Sequence, residues 1–201
     1  MLAHLRPAIV MMVLFTLLTG IAYPLAITGI AQVAMPANAN GSLISKGGTV
    51  IGSALIGQNF ASDKYFHGRP SATSAADPAD ASKTVDAPYN AANSSGSNLG
   101  PTSQKLVDRV KADVEARRAG NPSLSVPADS VTTSASGIDP HISPAFALAQ
   151  VAAIAQARKL PPAKIEALVR MQAEGRFLGI YGEPRVNVLG LNLALDALNA
   201  N

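Results

Sequence analysis

The sequence contains no cysteine and no tryptophan, and it has only four tyrosines and five phenylalanines. Without cysteine the chain has no disulfide bond, no thiol nucleophile, no lipid-modified cysteine and no thiolate ligand for a metal. Because large aromatic side chains are few, a core must be built from valine, isoleucine, leucine and alanine, which are numerous enough for one compact unit. We therefore expect a domain that is held together by packing alone.

Charge is also scarce, since only 14% of the residues are Asp, Glu, Lys or Arg. The 16 basic and 13 acidic side chains nearly balance. A nucleic-acid partner needs a clustered basic surface, which this balance does not supply. Nor does it supply an acidic field that would concentrate cations. We therefore expect no nucleic-acid partner.

Charged residues are missing altogether from residues 7–35, which consist mostly of Leu, Ile, Val, Ala, Met and Phe. A helix of about 20 apolar residues crosses a hydrocarbon core about 30 Å thick. The run therefore predicts one transmembrane helix with an extension, in contact with a lipid bilayer. Arg6 precedes the run and the next basic residue is Lys46, so the positive-inside rule places residues 1–6 in the cytoplasm and residues 36–201 outside.

A cleavable secretory signal is the alternative interpretation of this run, because Ala37-Asn38-Ala39 has the small-x-small pattern of a cleavage site. The apolar core of a signal peptide is about 7–15 residues long, however, and this run is much longer. An uncleaved membrane anchor is therefore the favoured interpretation.

Pro24 lies inside the apolar run, between Gly20 and Gly29. Proline removes a helical hydrogen bond, and small residues allow a second helix to approach closely. We predict that these three residues contact another membrane helix. The alternative is a passive anchor, in which glycine and proline have no special role.

Residues 36–201 predict one α+β domain with a small sheet and about four helices. Residues 36–48 read as a linker, and residues 73–100 as one irregular segment with few large apolar side chains. Short β-branched or apolar stretches predict strands at 49–57, 131–134, 177–181 and 186–188.

Four helices are predicted from apolar periodicity and from their end signals. The first, at 101–119, has a stripe of Leu106, Val107, Val110 and Val114 and ends at Gly120-Asn121-Pro122. The second follows a Ser143 cap, runs to about Lys159 and is apolar almost all round, which predicts the centre of the core. The third runs from Pro162 to about Ala173, with Ile165, Leu168 and Val169 inward and Gly175 as its stop, and the last carries Leu191, Leu195 and Leu198.

The sequence lacks the common catalytic signatures. It has no G-x-S-x-G nucleophile motif, no G-x-x-x-x-G-K-[ST] phosphate loop and no aspartyl-phosphate motif. Of its three histidines only His67 and His141 could share a compartment, which is too few for a histidine-based metal site. We therefore expect no catalytic residue and no metal ligand, and we do not expect an enzyme.

Residues 94–101, S-S-G-S-N-L-G-P, place small hydroxyl residues and glycine before the first predicted helix of the domain. The N-terminus of a helix favours anions. The segment is a candidate anion loop, although such loops more often serve as simple caps.

Several motifs in order resemble one family, the C subunit of the Kdp potassium-transporting ATPase. They are L-I-G-Q-N-F at 55–60, Y-F-H-G-R-P-S-A at 65–72, Y-N at 89–90 with S-G-S-N-L-G at 95–100, S-A-S-G-I-D-P-H-I-S at 134–143, E-G-R-F-L-G at 174–179, G-E-P-R-V-N-V-L at 182–189 and L-N-L-A-L-D at 191–196. The resemblance covers nearly the whole chain behind its single apolar segment.

The resemblance implies a non-catalytic subunit of a high-affinity potassium importer in the bacterial inner (plasma) membrane. The implied partners are a potassium-translocating A subunit, an ATP-hydrolysing P-type B subunit and, where present, a small F subunit. It also implies a catalytic chaperone that raises the ATP affinity of the B subunit, which makes ATP a candidate ligand. The candidate nucleotide or anion loop comprises Tyr89, Asn90, Ser95, Gly96, Ser97 and Asn98. Where the family commonly reads S-G-G-S-N, this chain reads S-S-G-S-N at 94–98.

Three polar loops, at 65–72, 89–100 and 134–143, are predicted to converge into a face that meets the pore subunit. Their aromatic, guanidinium and amide groups are the types enriched at protein interfaces. The candidate interface residues are Tyr65, Phe66, Arg69, Asp139 and His141, together with Gly20, Pro24 and Gly29 in the membrane. The alternative to an interface role is that the residues of the three loops serve only to fold the domain. For the whole chain, the alternative is an anchored or secreted module that binds a phosphate-bearing ligand.

Overall fold

The computed structural model describes residues 2–119, 123 and 125–198. Contacts within the chain divide it into two units, one ending at Ser53 and one beginning at Ala54. The boundaries predicted at residues 6 and 35 refer to a membrane and stay predictions. The helix stop predicted at Gly120-Asn121-Pro122 lies outside the described residues.

A long apolar helical segment forms most of the first unit. It consists of α1 (Leu2–Leu17), a π-helical turn (Leu18–Ala22) and α2 (Tyr23–Ala34). From His4 to Ala34 it is long and apolar enough to cross a membrane, and none of its side chains is buried within the chain. Pro24 lies two residues after the end of the π-helical turn, where a wider ring accommodates a residue that cannot donate a backbone hydrogen bond.

A short helix, α3 (Pro36–Ala39), and a β-hairpin complete this unit. Strands β1 (Leu43–Lys46) and β2 (Thr49–Ser53) pair antiparallel around a two-glycine turn, in which both residues have positive φ. The predicted linker at 36–48 is therefore wrong in part, because it contains α3 and β1. The strand predicted at 49–57 ends at Ser53, whose hydroxyl donates to the carbonyl of Gly41 at 2.7 Å.

Three helices and a three-stranded sheet build the core of the second unit. The helices are α5 (Pro144–Arg158), α6 (Pro162–Gln172) and α7 (Val188–Leu198). The antiparallel sheet has the order β5-β7-β6, with β5 at His141–Ile142, β6 at Ala173–Glu174 and β7 at Arg185–Asn187. The mixed helix and sheet composition that the sequence predicts is confirmed.

The predicted central helix is α5. It buries Phe146, Ala147, Val151, Ile154 and Ala155. Its N-terminus is capped as expected, because Ser143 Oγ accepts a hydrogen bond from the Phe146 amide at 3.0 Å. The inward residues predicted for α6 and α7 are also confirmed: Ile165, Leu168, Val169, Leu191 and Leu195 are buried, and Leu198 packs against them partly buried.

Three predictions about the periphery of this unit are wrong. Residues 73–100 contain a small hairpin of β3 (Ser74–Ala76) and β4 (Thr84–Asp86). Gly175 does not end α6, because the chain passes from Gln172 directly into β6. Residues 177–181 form a reversing turn closed by one bridge between Phe177 and Tyr181, rather than a strand.

The strand predicted at 131–134 is also wrong. A 3₁₀ turn at Ala128–Ser130 precedes these residues, which are themselves irregular. Ser130 Oγ donates to the carbonyl of Pro127 at 2.6 Å, and Thr132 Oγ1 donates to that of Ala128 at 2.8 Å. Such local bonds from short hydroxyl side chains compete with strand pairing.

Helix α4 (Gln104–Arg118) has the predicted apolar stripe, but none of its residues is fully buried. It begins three residues later than predicted, with Ser103 in the N-cap position. Within the candidate anion loop at 94–101, residues 94–98 are therefore separated from Gln104 by five residues.

Candidate functional site

The three polar loops that the sequence singles out lie against one another. Tyr89 Oη donates to the Arg69 carbonyl at 2.7 Å, which joins the second loop to the first. Ser71 Oγ donates to the Gly137 carbonyl at 2.7 Å, and Ser94 Oγ donates to the Ser136 carbonyl at 2.9 Å. We call this arrangement of residues 65–72, 89–100 and 134–143 the loop cluster.

Arg69 holds the first and third loops together. Its Nη1 lies 3.2 Å from Asp139 Oδ2, and the two side chains are 26% and 27% exposed. Its Nη2 donates to Thr132 Oγ1 at 3.4 Å and to the Thr133 carbonyl at 3.4 Å. The guanidinium group predicted to serve a partner is thus engaged largely within the chain.

Asp139 is shared between two loop-cluster residues. While Oδ2 faces Arg69, Oδ1 accepts the backbone N–H of His141 at 3.0 Å. The imidazole Nδ1 of His141 lies 3.7 Å from the same oxygen. Burial lowers the pKa of His141, Arg185 lowers it further, and the carboxylate of Asp139 opposes the shift.

Tyr89 occupies a slot that only glycine can line. A Cβ on Gly57 would lie 2.5 Å from the Tyr89 ring, and a Cβ on Gly68 would overlap the phenol oxygen. Tyr89 itself has φ of 62°, a conformation that is costly for a non-glycine residue. Burial of the phenol, reinforced by the charge of Asp139, raises the pKa of Tyr89 to about 12.

Asn90 and two hydroxyl residues fix the start of the second loop. Asn90 Nδ2 donates to the Ser74 carbonyl at 2.8 Å, and its backbone N–H donates to Thr73 Oγ1 at 3.1 Å. Thr73, which is buried, donates in turn to the Ala87 carbonyl at 2.6 Å. Ser71 lies in the motif at 65–72 and Thr73 directly follows it, but neither was predicted as a site residue.

The hydroxyls of the candidate anion loop bond to neighbouring chain. Ser95 Oγ donates to the Ala72 carbonyl at 3.3 Å, and Ser97 Oγ accepts from Thr133 Oγ1 at 3.2 Å. A Cβ on Gly96 would lie 2.7 Å from the Ala135 carbonyl oxygen, so the loop is pressed onto the third loop. Ser95, which stands at the first of the paired glycines of the family pattern, does not have positive φ; within residues 94–98 the left-handed residue is Asn98, with φ of 50°.

The Tyr65-Phe66-His67 segment is held by two amide side chains that were not among the predicted site residues. Asn192 of α7 accepts from the Phe66 amide at 2.8 Å and donates to the Phe66 carbonyl at 3.0 Å. Gln150 of α5 makes the same pair of bonds to His67, at 2.8 and 3.1 Å. The signal in the sequence was a polar residue on an otherwise apolar helix face.

Tyr65 and Phe66 have different environments. Phe66 is 0% exposed and belongs to the core, so its side chain does not reach the surface of this chain. Tyr65 packs under the guanidinium of Arg158, 4.7 Å from the ring centroid. Arg158 also pairs with Asp196 at 2.8 Å, which ties α5 to α7 beside this segment.

A cleft of about 560 Å³ lies beside this segment and is lined in part by Tyr65, His67, Arg117 and Gln150. Arg117 stacks over Phe146 at 4.8 Å and donates to the Ser130 carbonyl at 3.0 Å. Residues 94–98, all within the described chain, are not among the residues that line it. The cleft and the candidate anion loop are therefore separate features.

Gly20 and Gly29 on the apolar helix have open space where a Cβ would stand. Thr19 Oγ1 donates to the Phe15 carbonyl at 2.7 Å beside the π-helical turn. The predicted packing position of Gly20, Pro24 and Gly29 is thus accessible to another helix, while contact with one stays a prediction.

These features define a class of protein: a small α+β domain carried behind one apolar helix that is long enough to span a membrane. The family model described as "KdpC: K+-transporting ATPase, c chain" matches residues 5–197. The chain belongs to this family.

Curated relatives agree with this assignment. The chain is 64% identical over 198 residues to the potassium-transporting ATPase KdpC subunit of Methylobacterium nodulans, with 98% of each chain covered. It is 65% identical over 197 residues to that of Rhodopseudomonas palustris and 63% identical over 196 residues to that of Bradyrhizobium diazoefficiens, again with 98% of each chain covered. The alternative prediction, a module for a phosphate-bearing ligand, finds no support in these relatives.

Proposed function

We propose that the chain is the non-catalytic accessory subunit of an ATP-driven potassium-importing complex in the bacterial inner (plasma) membrane. The observation that carries this proposal is the family match from residue 5 to residue 197, which includes the apolar helix as well as the domain. The apolar helix runs over 31 residues from His4 to Ala34, well beyond the about 7–15 residues of a signal-peptide core, which favours an uncleaved anchor over a removable signal. Arg6 before the helix favours a cytoplasmic N-terminus and an extracytoplasmic domain.

The proposed partners are the potassium-translocating A subunit, the ATP-hydrolysing B subunit and, where present, the F subunit. In the membrane, the open surface at Gly20 and Gly29 supports a contact with a partner helix. Outside it, the partly exposed side chains of Tyr65, Arg69 and His141 are the proposed contact edge of the loop cluster. Phe66 would support that edge from the core.

The proposed influence on ATP affinity passes through subunit contacts. For ATP to bind directly at residues 95–98, the bonds of Ser95 and Ser97 to neighbouring chain would have to be exchanged for bonds to phosphate. Tyr89 and Asn90 are likewise committed to carbonyls of the first loop and of β3. We therefore propose that the loop cluster acts as a rigid body on the assembled transporter, while ATP binds the hydrolysing subunit.

Co-purification tests the proposal. A tagged chain extracted in mild detergent from potassium-starved cells should recover a membrane ATPase. Gly20→Leu and Gly29→Leu should lower that recovery without blocking membrane insertion, because a bulky side chain prevents close helix approach. Ala8→Leu, on the same helical segment but away from Pro24, is the matched control and should recover the complex normally.

Two results would contradict the proposal, one for the subunit assignment and one for the helix contact. Recovery of no membrane ATPase by the unmodified chain would refute the subunit assignment. Equal recovery by both glycine variants and the control would show that the helix is a passive anchor.

A further inference from the structure

The connection between β6 and β7 exposes four large apolar side chains on one tight turn. Phe177, Leu178, Ile180 and Tyr181 are each between 66% and 74% exposed. For comparison, Leu14 in the apolar helix is 56% exposed. Contiguous exposed apolar surface of this kind marks an interaction site. We call residues 176–183 the apolar turn.

Four backbone amides of the apolar turn are paired within it. The amides of Phe177 and Tyr181 donate to each other's carbonyls at 2.9 and 3.0 Å. The amide of Gly179 donates to the Arg176 carbonyl at 3.0 Å, and that of Ile180 to the Phe177 carbonyl at 3.1 Å. Each such pair lowers the cost of moving the turn from water towards lipid, because lipid offers no replacement hydrogen bonds.

The conformation of Leu178 is also unusual for an exposed residue. Its φ is 53°, in the left-handed region that costs free energy for a branched side chain. Packing within the chain does not offset this free-energy cost, since the Leu178 side chain is 74% exposed. Strain retained at an exposed apolar residue points to a contact outside the chain.

Paired charges mark the base of the apolar turn. Arg176 pairs with Glu183 at 2.7 Å, and Arg185 pairs with Glu174 at 3.0 Å. These pairs leave no net charge at the base, so attachment would depend on the apolar tip rather than on anionic lipid. An apolar tip above a charged, solvated base is the pattern of a segment that lies in a membrane interface.

A lipid bilayer is the partner that we expect to cover the apolar turn, because the chain carries its own membrane-spanning helix. The helix from His4 to Ala34 is long enough to span one, and a tethered domain meets the membrane at a high effective concentration. Even a weak affinity of the turn for lipid is then sufficient to keep the domain attached to the membrane surface. A protein interface of ordinary composition would also need about one hydrogen bond per 100–200 Å², whereas the tip of this turn offers almost only apolar surface.

We propose that the apolar turn inserts into the interfacial layer of the bilayer that holds the apolar helix. The rings of Phe177 and Tyr181 then lie at the level of the lipid headgroups, where aromatic side chains are enriched in membrane proteins. Leu178 and Ile180 reach the first part of the acyl chains. This inference rests on the proposed membrane anchoring and adds a second, peripheral attachment of the domain.

Depth-dependent fluorescence quenching tests the inference on the full chain. The absence of native cysteine allows single-cysteine variants at Ile180, Leu14 and Ala91 to carry an environment-sensitive fluorophore. Each is reconstituted in phosphatidylcholine vesicles with or without brominated acyl chains. We expect strong quenching at Leu14, clear quenching with a blue-shifted emission at Ile180, and none at the exposed Ala91.

A second substitution checks that insertion depends on apolar character. Leu178→Asp should reduce quenching at Ile180 to the level of Ala91, and it should not disturb the turn, because Asp adopts positive φ more readily than Leu. Leu178→Met keeps an apolar side chain and should retain quenching. Unchanged quenching in Leu178→Asp would overturn the inference.

The remaining outcomes separate this inference from the anchoring proposal. Loss of quenching at Leu14 would refute the membrane anchor itself. Quenching at Leu14 with none at Ile180 would overturn the inference alone. A blue shift at Ile180 without lipid quenching would assign the apolar turn to a contact with a second copy of the chain, and would also overturn it.

Discussion

At the scale of single residues, Tyr89 and Arg69 hold the loop cluster together from its interior. Tyr89 is in the left-handed region and its ring is enclosed by Gly57 and Gly68, so three motifs that are distant in sequence depend on one side chain. The sequence indicated Tyr89 and Arg69 as residues of interest but assigned them to ligands and partners. Their internal bonds could not be foreseen, because the contacts join residues that are about 20 and 70 positions apart along the chain.

Ionisation of Tyr89 should destabilise the fold at high pH. Its pKa is raised from 10.0 to about 12, so above pH 10 the unfolded chain releases this proton while the folded chain retains it. Stability is therefore fully present below pH 10 and falls as pH rises from about 10 to about 12. Urea midpoints measured across this range should fall more steeply for the unmodified chain than for Tyr89→Phe. Parallel pH profiles would contradict the assignment.

Arg69→Ala should destabilise the domain even when no partner is present. The change leaves Asp139 partly buried without its cation and removes donors to the carbonyls of the 132–133 segment. Loss of such a partly buried charged network costs roughly 1–3 kcal/mol. Urea unfolding of the full chain in detergent measures the change. Arg170→Ala, which breaks an exposed pair with Glu166, is the control and should have little effect. Equal midpoints would instead support a role of Arg69 confined to a partner interface.

At the scale of elements, sequence periodicity predicted the helices far better than the strands. Helices α5, α6 and α7 each bury a stripe of apolar side chains that is visible in the sequence. Of the predicted strands, 49–57 overlaps β2 and 186–188 overlaps β7, but the other strands were missed, since β5 and β6 are two residues long and the three residues of β4 are all exposed. Short strands depend on pairing with distant chain rather than on local alternation. For the same reason, residues 177–181 were wrongly predicted as extended.

Asn192 connects α7 to the first loop of the cluster. Its replacement should show how much these hydrogen bonds contribute to the stability of the fold. Asn192→Leu would leave the buried amide and carbonyl of Phe66 without their partners. Two unpaired buried groups cost roughly 2–4 kcal/mol, which should appear as a lower urea midpoint of the full chain. Ala197→Ser, at an exposed position of the same helix, should leave the midpoint nearly unchanged. A stabilised Asn192→Leu variant would mean that the apolar contacts of α7 outweigh these bonds.

At the scale of the whole molecule, the charge distribution suits one part of the chain to lipid and the other part to water. The apolar helix has no charge after Arg6, whereas the domain from Ala54 onward carries most of the ion pairs, including those of Arg69, Arg158 and Arg185. A segment without charge suits lipid, and a domain with paired surface charges suits water. The placement of the domain on one side of the membrane follows from the short N-terminal head alone, so it needs a direct test.

Thiol labelling of single-cysteine variants provides that test, because the unmodified chain has no cysteine and gives no background. Thr102→Cys, at an exposed position before α4, should react with a membrane-impermeant reagent in intact spheroplasts. His4→Cys should react only after lysis, since Arg6 holds the head in the cytoplasm under the positive-inside rule. Lysis should leave the labelling of Thr102→Cys unchanged, which controls for reagent access. Labelling of Thr102→Cys only after lysis would reverse the proposed orientation and bring residues 94–98 to the side of cytoplasmic ATP.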